Sequence, residues 1–306
     1  MLKKKGLLFV LAGPTAVGKT KLSFEIAKFI NSPIISADSR QFYKELSIGT
    51  AKPTNKELER IKHLFINSKS IVEYYSAGDF EKDVLNFLDN YYKKNNNALM
   101  VGGSGMYIDA VCNGFDDLPN DLLIRDELNT KFQLNGINFL QDKLKVLDPD
   151  YFKKIDLNNP QRLIRAIEVC LITKGTYSSL LNGNKKKRPF RVIKILLNMD
   201  RKDLNLIIEN RVDQMINQGL FNEVKELIKY KSYNALNTVG YKEIFKYYDG
   251  LYTKKEAIDK IKTNTKKYAK RQLTWFKKDN DYIEIDNKNY ETSLSIIKDI
   301  ILKSKD

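Results

Sequence analysis

Apolar residues along this chain fall into two kinds of run. Short, predominantly apolar runs at Leu7-Leu8-Phe9-Val10-Leu11, Pro33-Ile34-Ile35-Ser36-Ala37, Ala98-Leu99-Met100-Val101 and Val192-Ile193-Lys194-Ile195-Leu196-Leu197 predict buried parallel strands, because a strand covered on both faces has no polar side. Between them, Lys21-Leu22-Ser23-Phe24-Glu25-Ile26-Ala27-Lys28-Phe29-Ile30 carries apolar residues at helical intervals, and Ser76 opens a second helix that runs through Phe87 and Tyr91. From about residue 116 the strand signals stop. Helices are predicted over 121–134, 136–147 and 160–174, and the charged connection Asn182-Gly183-Asn184-Lys185-Lys186-Lys187-Arg188-Pro189 then leads back into the strand pattern. Amphipathic helices follow over 203–231 and 253–277, with an edge strand at 282–285 and a closing helix over about 290–302.

The first strand runs directly into Gly13-Pro14-Thr15-Ala16-Val17-Gly18-Lys19-Thr20, which fits the phosphate loop G-x-x-x-x-G-K-[ST] at every fixed position. Glycines let successive backbone N–H groups close around phosphate oxygens, and the helix beginning there aims its positive end at the same anion. Lys19 adds a point charge. Thr20 stands where a hydroxyl can ligate Mg2+, the one cofactor expected. Strand, loop and helix in this order predict an α/β protein with a P-loop, nucleotide-kinase-like parallel sheet. Residues 1–117 form the first part of the core, 118–185 a helical insertion domain, and 186–306 the second part of the core.

The charge is uneven. Lys and Arg number 53 against 38 Asp and Glu, a net charge of +15, and residues 182–306 hold 28 of those bases against 17 of the acids. A basic excess concentrated in one part fits a surface that neutralises a nucleic-acid backbone, although a Lys- and Asn-rich composition drifting basic produces the same count. Cys112 and Cys170 stand apart in apolar surroundings and predict reduced core residues. The single histidine, His63, has no partner for a metal cluster or a Ser/His/Asp triad and is expected on the surface or in a helix. No run is long enough to span a membrane, and the start Met1-Leu2-Lys3-Lys4-Lys5 leads into a core strand, so the protein is expected in the cytoplasm, as a monomer, with no membrane partner.

Asp38-Ser39-Arg40-Gln41 ends the second strand, where ligands of parallel sheets bind. From spacing alone, Asp38 fits two roles equally, holding magnesium through water or acting as a general base. Gln41 can pair with an adenine edge or simply be solvated. A second glycine-rich turn, Gly102-Gly103-Ser104-Gly105-Met106-Tyr107, follows the third strand and is expected beside the first. Lys262, Lys266 and Lys270 fall at i, i+4 and i+8 with Tyr268, Trp275 and Phe276 nearby. That is either a basic stripe for RNA or a solvated face over tucked aromatics.

Taken in order, the phosphate loop, Asp38 to Gln41, Gly102 to Tyr107, Asn159-Pro160-Gln161-Arg162-Leu163-Ile164-Arg165, Val239-Gly240-Tyr241-Lys242-Glu243 and Tyr268-Ala269-Lys270-Arg271-Gln272-Leu273-Thr274-Trp275-Phe276 closely resemble the bacterial tRNA dimethylallyltransferases. The resemblance implies transfer of a dimethylallyl group from dimethylallyl diphosphate to the exocyclic amine of the adenosine 3′ to the anticodon, so the tRNA anticodon stem-loop and that diphosphate are the implied partners. It also implies roles: Asp38 as base, Lys19 and Arg211 as diphosphate clamps, Thr20 as magnesium ligand, and Ser104 orienting diphosphate and amine. Ser39, Arg40 and Gln41 would read the adenine. Arg125, Gln161, Arg162, Leu163, Ile164, Arg165, Gly240, Tyr241, Lys242, Lys270, Arg271, Gln272 and Trp275 would contact tRNA. Lys266 stands where the family usually has arginine, which keeps the charge but loses the bidentate fork. Three rivals remain: transfer to free adenine nucleotides, a small-molecule kinase at the same loop, and an RNA-binding protein with a silent loop.

Overall fold

In the computed structural model, residues 6–181, 183 and 185–304 are described; the basic start at 1–5 and positions 182 and 184 of the charged connection lie outside them. Six strands form one all-parallel sheet: β1 (Leu7–Ala12), β2 (Ile34–Ser36), β3 (His63–Leu64), β4 (Asn97–Gly102), β5 (Arg191–Asn198) and β6 (Tyr282–Asp286), in the order β3-β2-β4-β1-β5-β6. Alternation in β1 divides the core between two faces. Leu7, Phe9 and Leu11 pack with Leu22 and Ile26 of α1 (Lys19–Ile30), whereas Leu8, Val10 and Ala12 pack with Phe80 and Val84 of α3 (Ala77–Tyr91). Ser76 caps α3 in a reciprocal box with Asp79.

Other elements carried no strong sequence signal. They are α2 (Asn55–Arg60), the two-residue β3, α4 (Gly105–Asn113) and α10 (Tyr241–Tyr248). His63, expected on the surface or in a helix, instead pairs with Ile34 from β3 and is half-buried edge-on to Phe24, and burial lowers its pKa. A two-residue strand is too short for any periodicity to reveal it. The expected edge strand is β6, followed by α12 (Tyr290–Lys303).

The residues cluster into two compact units, one of them Gly114–Lys186, against the expected insertion at 118–185. This unit is helical: α5 (Leu122–Leu147), α6 (Pro149–Phe152) and α7 (Pro160–Thr173) close over Leu128, Leu140, Leu163 and Ile167. Gly136 interrupts α5 at φ 74, a left-handed conformation that a side chain strains to adopt, and this is the break between the two predicted helices. Inside the unit, Glu168 is fully buried and bridges Arg125 and Arg165 at 2.8 and 3.0 Å. The larger unit is completed by α8 (Arg201–Asn217), α9 (Leu220–Glu226), α10 and α11 (Lys254–Phe276), which share a core that includes Val212, Leu220, Tyr241 and Ile261. Cys112 and Cys170 are buried and free. Among the described residues, no helix is long and apolar enough to cross a membrane.

Candidate active site

Strand order decides where a ligand can sit. β1 lies between β4 and β5, so the chain leaves β1 at a switch point where neighbouring connections diverge and open a crevice above the strand ends. Three turns meet there: the phosphate loop after β1, residues 38–41 after β2, and residues 103–104 after β4. A cleft of about 810 Å³ runs beside them, lined among others by Thr15, Lys19, Asp38, Gln41, Arg211 and Tyr268.

The phosphate loop is shaped by left-handed residues at Ala16 (φ 68) and Gly18 (φ 96), which turn successive amides inward, and Gly18 caps α1 with no side chain in the way. Lys19 Nζ donates to the carbonyls of Gly13 and Pro14 at 2.8 and 2.7 Å. Burial lowers its pKa to about 7, with Asp38 opposing and Arg211 adding to that shift. Arg211, on α8, reaches Thr15 Oγ1 at 3.5 Å, and burial lowers its pKa while Asp38 raises it. Two cations and one carboxylate therefore face one cleft. Thr20 is exposed at the start of α1.

Asp38 Oδ1 accepts the Arg40 N–H at 3.1 Å. Ser104 ties the second and third turns together, since its Oγ accepts from Ser39 N at 3.0 Å and donates to Ser39 Oγ at 3.1 Å. Tyr268, on α11, lines the same cleft close to Ser104, and burial followed by Asp38 raises its pKa to about 12. It is thus a neutral hydroxyl at physiological pH, next to the carboxylate. Gln41 Nε2 donates to the carbonyls of Thr50 and Ala51 at 3.2 and 3.4 Å, and its Oε1 accepts from Ser36 at 3.3 Å.

Several expected tRNA contacts are placed where RNA cannot reach them. Leu163 is 0% and Ile164 5% exposed because α7 turns these apolar residues into the helical unit's core. Tyr241 is 0% exposed, its hydroxyl given to Glu223 at 2.6 Å. Gln272, 7% exposed, accepts from Thr15 N and donates to the Gly103 carbonyl, both at 2.9 Å, so it bolts the phosphate loop to the second glycine turn. Gly240 is buried at the cleft wall, at φ 95. The lysine stripe is also reduced: Lys262 pairs with Asp213 at 2.7 Å and Lys266 with Glu209, both acids on α8. Lys242, Lys270, Arg271 and Trp275 remain exposed, Trp275 donating to Asp109 at 2.7 Å. In the helical unit Gln161 and Arg162 are exposed, while Arg125 and Arg165 are held by Glu168.

Because Gln272 holds two turns at once, Gln272→Leu keeps its bulk but leaves the Thr15 N–H and Gly103 carbonyl without that partner. At about 1–3 kcal/mol for each unmet buried group, the variant is expected to melt several degrees lower and to bind inorganic diphosphate more weakly. Calorimetry and a thermal melt check both. Unchanged diphosphate affinity would remove the bolt from the account of the site.

The IPP transferase family model matches residues 41–279. The chain is 47% identical over 275 residues to tRNA dimethylallyltransferase 1 of Bacteroides fragilis, covering 90% of this chain and 91% of that protein. It is 48% identical over 301 residues to the tRNA dimethylallyltransferase of Flavobacterium psychrophilum, covering 96% and 97%. Among solved structures, the full-length tRNA isopentenylpyrophosphate transferase of Bacillus halodurans is 36% identical, with a TM-score of 0.72 over 98% of this chain and 96% of that one. A eukaryotic dimethylallyltransferase acting on tRNA aligns at 26% identity and a TM-score of 0.77, over 96% of this chain and 77% of its own. With a model spanning most of its length and relatives near half identical along nine-tenths of it, this chain belongs to the tRNA dimethylallyltransferase (IPP transferase) family.

Proposed function

We propose that this protein transfers a dimethylallyl group from dimethylallyl diphosphate to the exocyclic amine of the adenosine 3′ to the anticodon in tRNA. The observation that carries the reading is the convergence of a phosphate loop, the half-buried Lys19 and Arg211, and the Asp38 carboxylate on one cleft. A small-molecule kinase uses the same kind of loop and often a carboxylate base, but the relatives that cover nine-tenths of this chain are named tRNA dimethylallyltransferases. An enzyme for free adenine nucleotides does not need the exposed Lys270 and Arg271 on α11.

In the transfer, the amine nitrogen forms a bond to the allylic carbon as the carbon–oxygen bond to diphosphate breaks. The surplus proton on nitrogen passes to the Asp38 carboxylate, and the electron pair leaves with diphosphate, whose charge Lys19, Arg211 and the loop amides receive. Tyr268 and Ser104, both neutral hydroxyls beside the turn that carries Asp38, orient the amine. Gln41 and Arg40 face the base.

Magnesium fits the donor set in a limited way. Among the described residues no group of three His, Cys, Asp or Glu side chains is placed to hold a metal ion, so the Thr20 hydroxyl, with Asp38 through water, would hold it chiefly on the substrate's phosphates. It would supply neutralisation of the leaving group's charge.

The exposed Gln161, Arg162, Lys242, Lys270, Arg271 and Trp275, with Arg125 and Arg165 of the helical unit, are the tRNA contacts in this reading. Transfer to tRNA places the work in the cytoplasm, and a monomer suffices. Incubation with magnesium, dimethylallyl diphosphate and either unmodified tRNA or AMP tests the reading: prenylated adenosine is expected in tRNA, and product from AMP alone overturns it. Lys270→Ala is expected to lower the slope of log affinity against log salt by about 0.9, one phosphate contact. An identical slope would take Lys270 off the contact surface.

A further inference from the structure

Glu223, on the first turn of α9, lies outside every motif described above, yet its carboxylate gathers donors from two distant segments. Its Oε2 accepts the N–H groups of Ser47 and Ile48 at 3.1 and 2.7 Å, and its Oε1 accepts Gly49 N–H at 3.1 Å and the Tyr241 hydroxyl at 2.6 Å. Three consecutive amides pointing at one carboxylate form an anion nest, here filled by the protein's own side chain. Thr50 Oγ1 closes the turn from the other side by donating to the carbonyls of Leu46 and Ser47 at 3.0 and 3.2 Å.

The next two residues of this turn matter to the cleft. Gly49, Thr50 and Ala51 line it beside Asp38 and Gln41, and the carbonyls of Thr50 and Ala51 hold the Gln41 amide. Ala51 sits in the left-handed region at φ 46, a conformation that needs its surroundings to hold it. Gly49 packs so closely on Tyr241 that a Cβ there would stand 2.5 Å from the ring, so the turn has no room to slide. A chain of contacts therefore runs from Glu223 through the nest to the Thr50 and Ala51 carbonyls, and from them to the Gln41 side chain.

We propose that Glu223 is a positioning residue: by filling the nest of residues 47–49 it fixes the cleft wall and the orientation in which Gln41 meets the nucleobase, while the diphosphate half of the cleft is independent of it. The inference rests on the tRNA prenyl-transfer reading for its readout. Glu223→Gln conserves volume but turns an NH2 group toward amides that need an acceptor. Gly49→Ala pushes the same turn from the Tyr241 side.

The test measures transfer to unmodified tRNA at saturating dimethylallyl diphosphate, together with the Kd of inorganic diphosphate, for both variants, for Gln41→Ala, and for the Glu223→Gln/Gln41→Ala pair. Each single variant at 223 or 49 is expected to lose about tenfold or more in kcat/KM for tRNA with diphosphate Kd within about twofold, and the pair is expected to be no worse than about twofold below its weaker member. A folded Glu223→Gln protein with kcat/KM within about threefold of wild type, additive losses in the pair, or diphosphate affinity falling in step each overturns the proposal. If Glu223→Gln does not fold, Gly49→Ala decides by the same criteria. Wild-type protein that transfers nothing to tRNA overturns the functional reading itself, a result distinct from any of these.

Discussion

Asp38→Ala is expected to lower single-turnover transfer by about 10²- to 10⁴-fold, the range a positioned general base contributes, while tRNA affinity stays within about threefold. The split follows from where Asp38 stands. It lines the cleft with Lys19, Arg211 and Gln41, and its side chain accepts the backbone N–H of Arg40 rather than meeting a surface for RNA phosphates. Its loss therefore removes the proton acceptor and one negative charge near Lys19, and leaves Lys270 and Arg271 exposed as before. Asp38→Asn preserves the shape and the acceptor for Arg40, so it isolates the proton-transfer role; it is expected to be as slow as alanine. A single-turnover assay beside a filter-binding titration checks both. Fast transfer by the asparagine variant, or tRNA binding that collapses with either, would remove Asp38 from the role of base.

Lys19→Met carries the second large effect, with two parts of opposite sign. Losing a charged donor at about 1.5–3 kcal/mol per bond is expected to weaken diphosphate binding about 10- to 100-fold. Stability moves the other way. Lys19 titrates at about 7 in the fold against 10.5 for the ordinary side chain, so between those values the unfolded chain binds more protons and stability rises with pH. Below about 7 both states are protonated and the full cost of the buried ammonium is present. The methionine variant lacks that cost, and its melting temperature at pH 7 is expected at or above that of wild type. The same shift predicts proton uptake: at pH 8 an alkyl diphosphate with its last proton already lost returns Lys19 to the charged form on binding. Calorimetry in two buffers of different ionisation enthalpy reads this, and equal uptake by wild type and Lys19→Met would assign the proton elsewhere.

How much could be read in advance differs between the two halves of the site. The phosphate loop is a local object: eight consecutive residues after a buried strand specify both the nest and the helix end that faces it, while Arg211 joins them from α8. The strands β1, β4 and β5 announced themselves by predominantly apolar runs because both faces of the sheet are covered. The base half is assembled from afar. Tyr268 meets Ser104 across 164 positions, and Glu223 holds a turn 174 to 176 positions away. Nothing in the spacing around residues 47–50 marks the turn as a nest, since its acceptor is supplied by another part of the chain. The sequence left Lys262 and Lys266 open between an RNA stripe and a solvated face for the same reason, for their partners Asp213 and Glu209 come into register only once α8 and α11 pack.

The residue pattern along the chain was thus enough for the parallel sheet, the anion-binding loop and the helical stretch between its two parts, because each is encoded within a few consecutive residues whose backbone geometry and polarity are set by their neighbours. Which polar side chains face the cleft and which are spent holding it together was settled by packing. Gln272 and Tyr241 are polar and sit in motif positions, yet both are buried and fully committed, since a buried donor or acceptor must find a partner and theirs lie on distant elements.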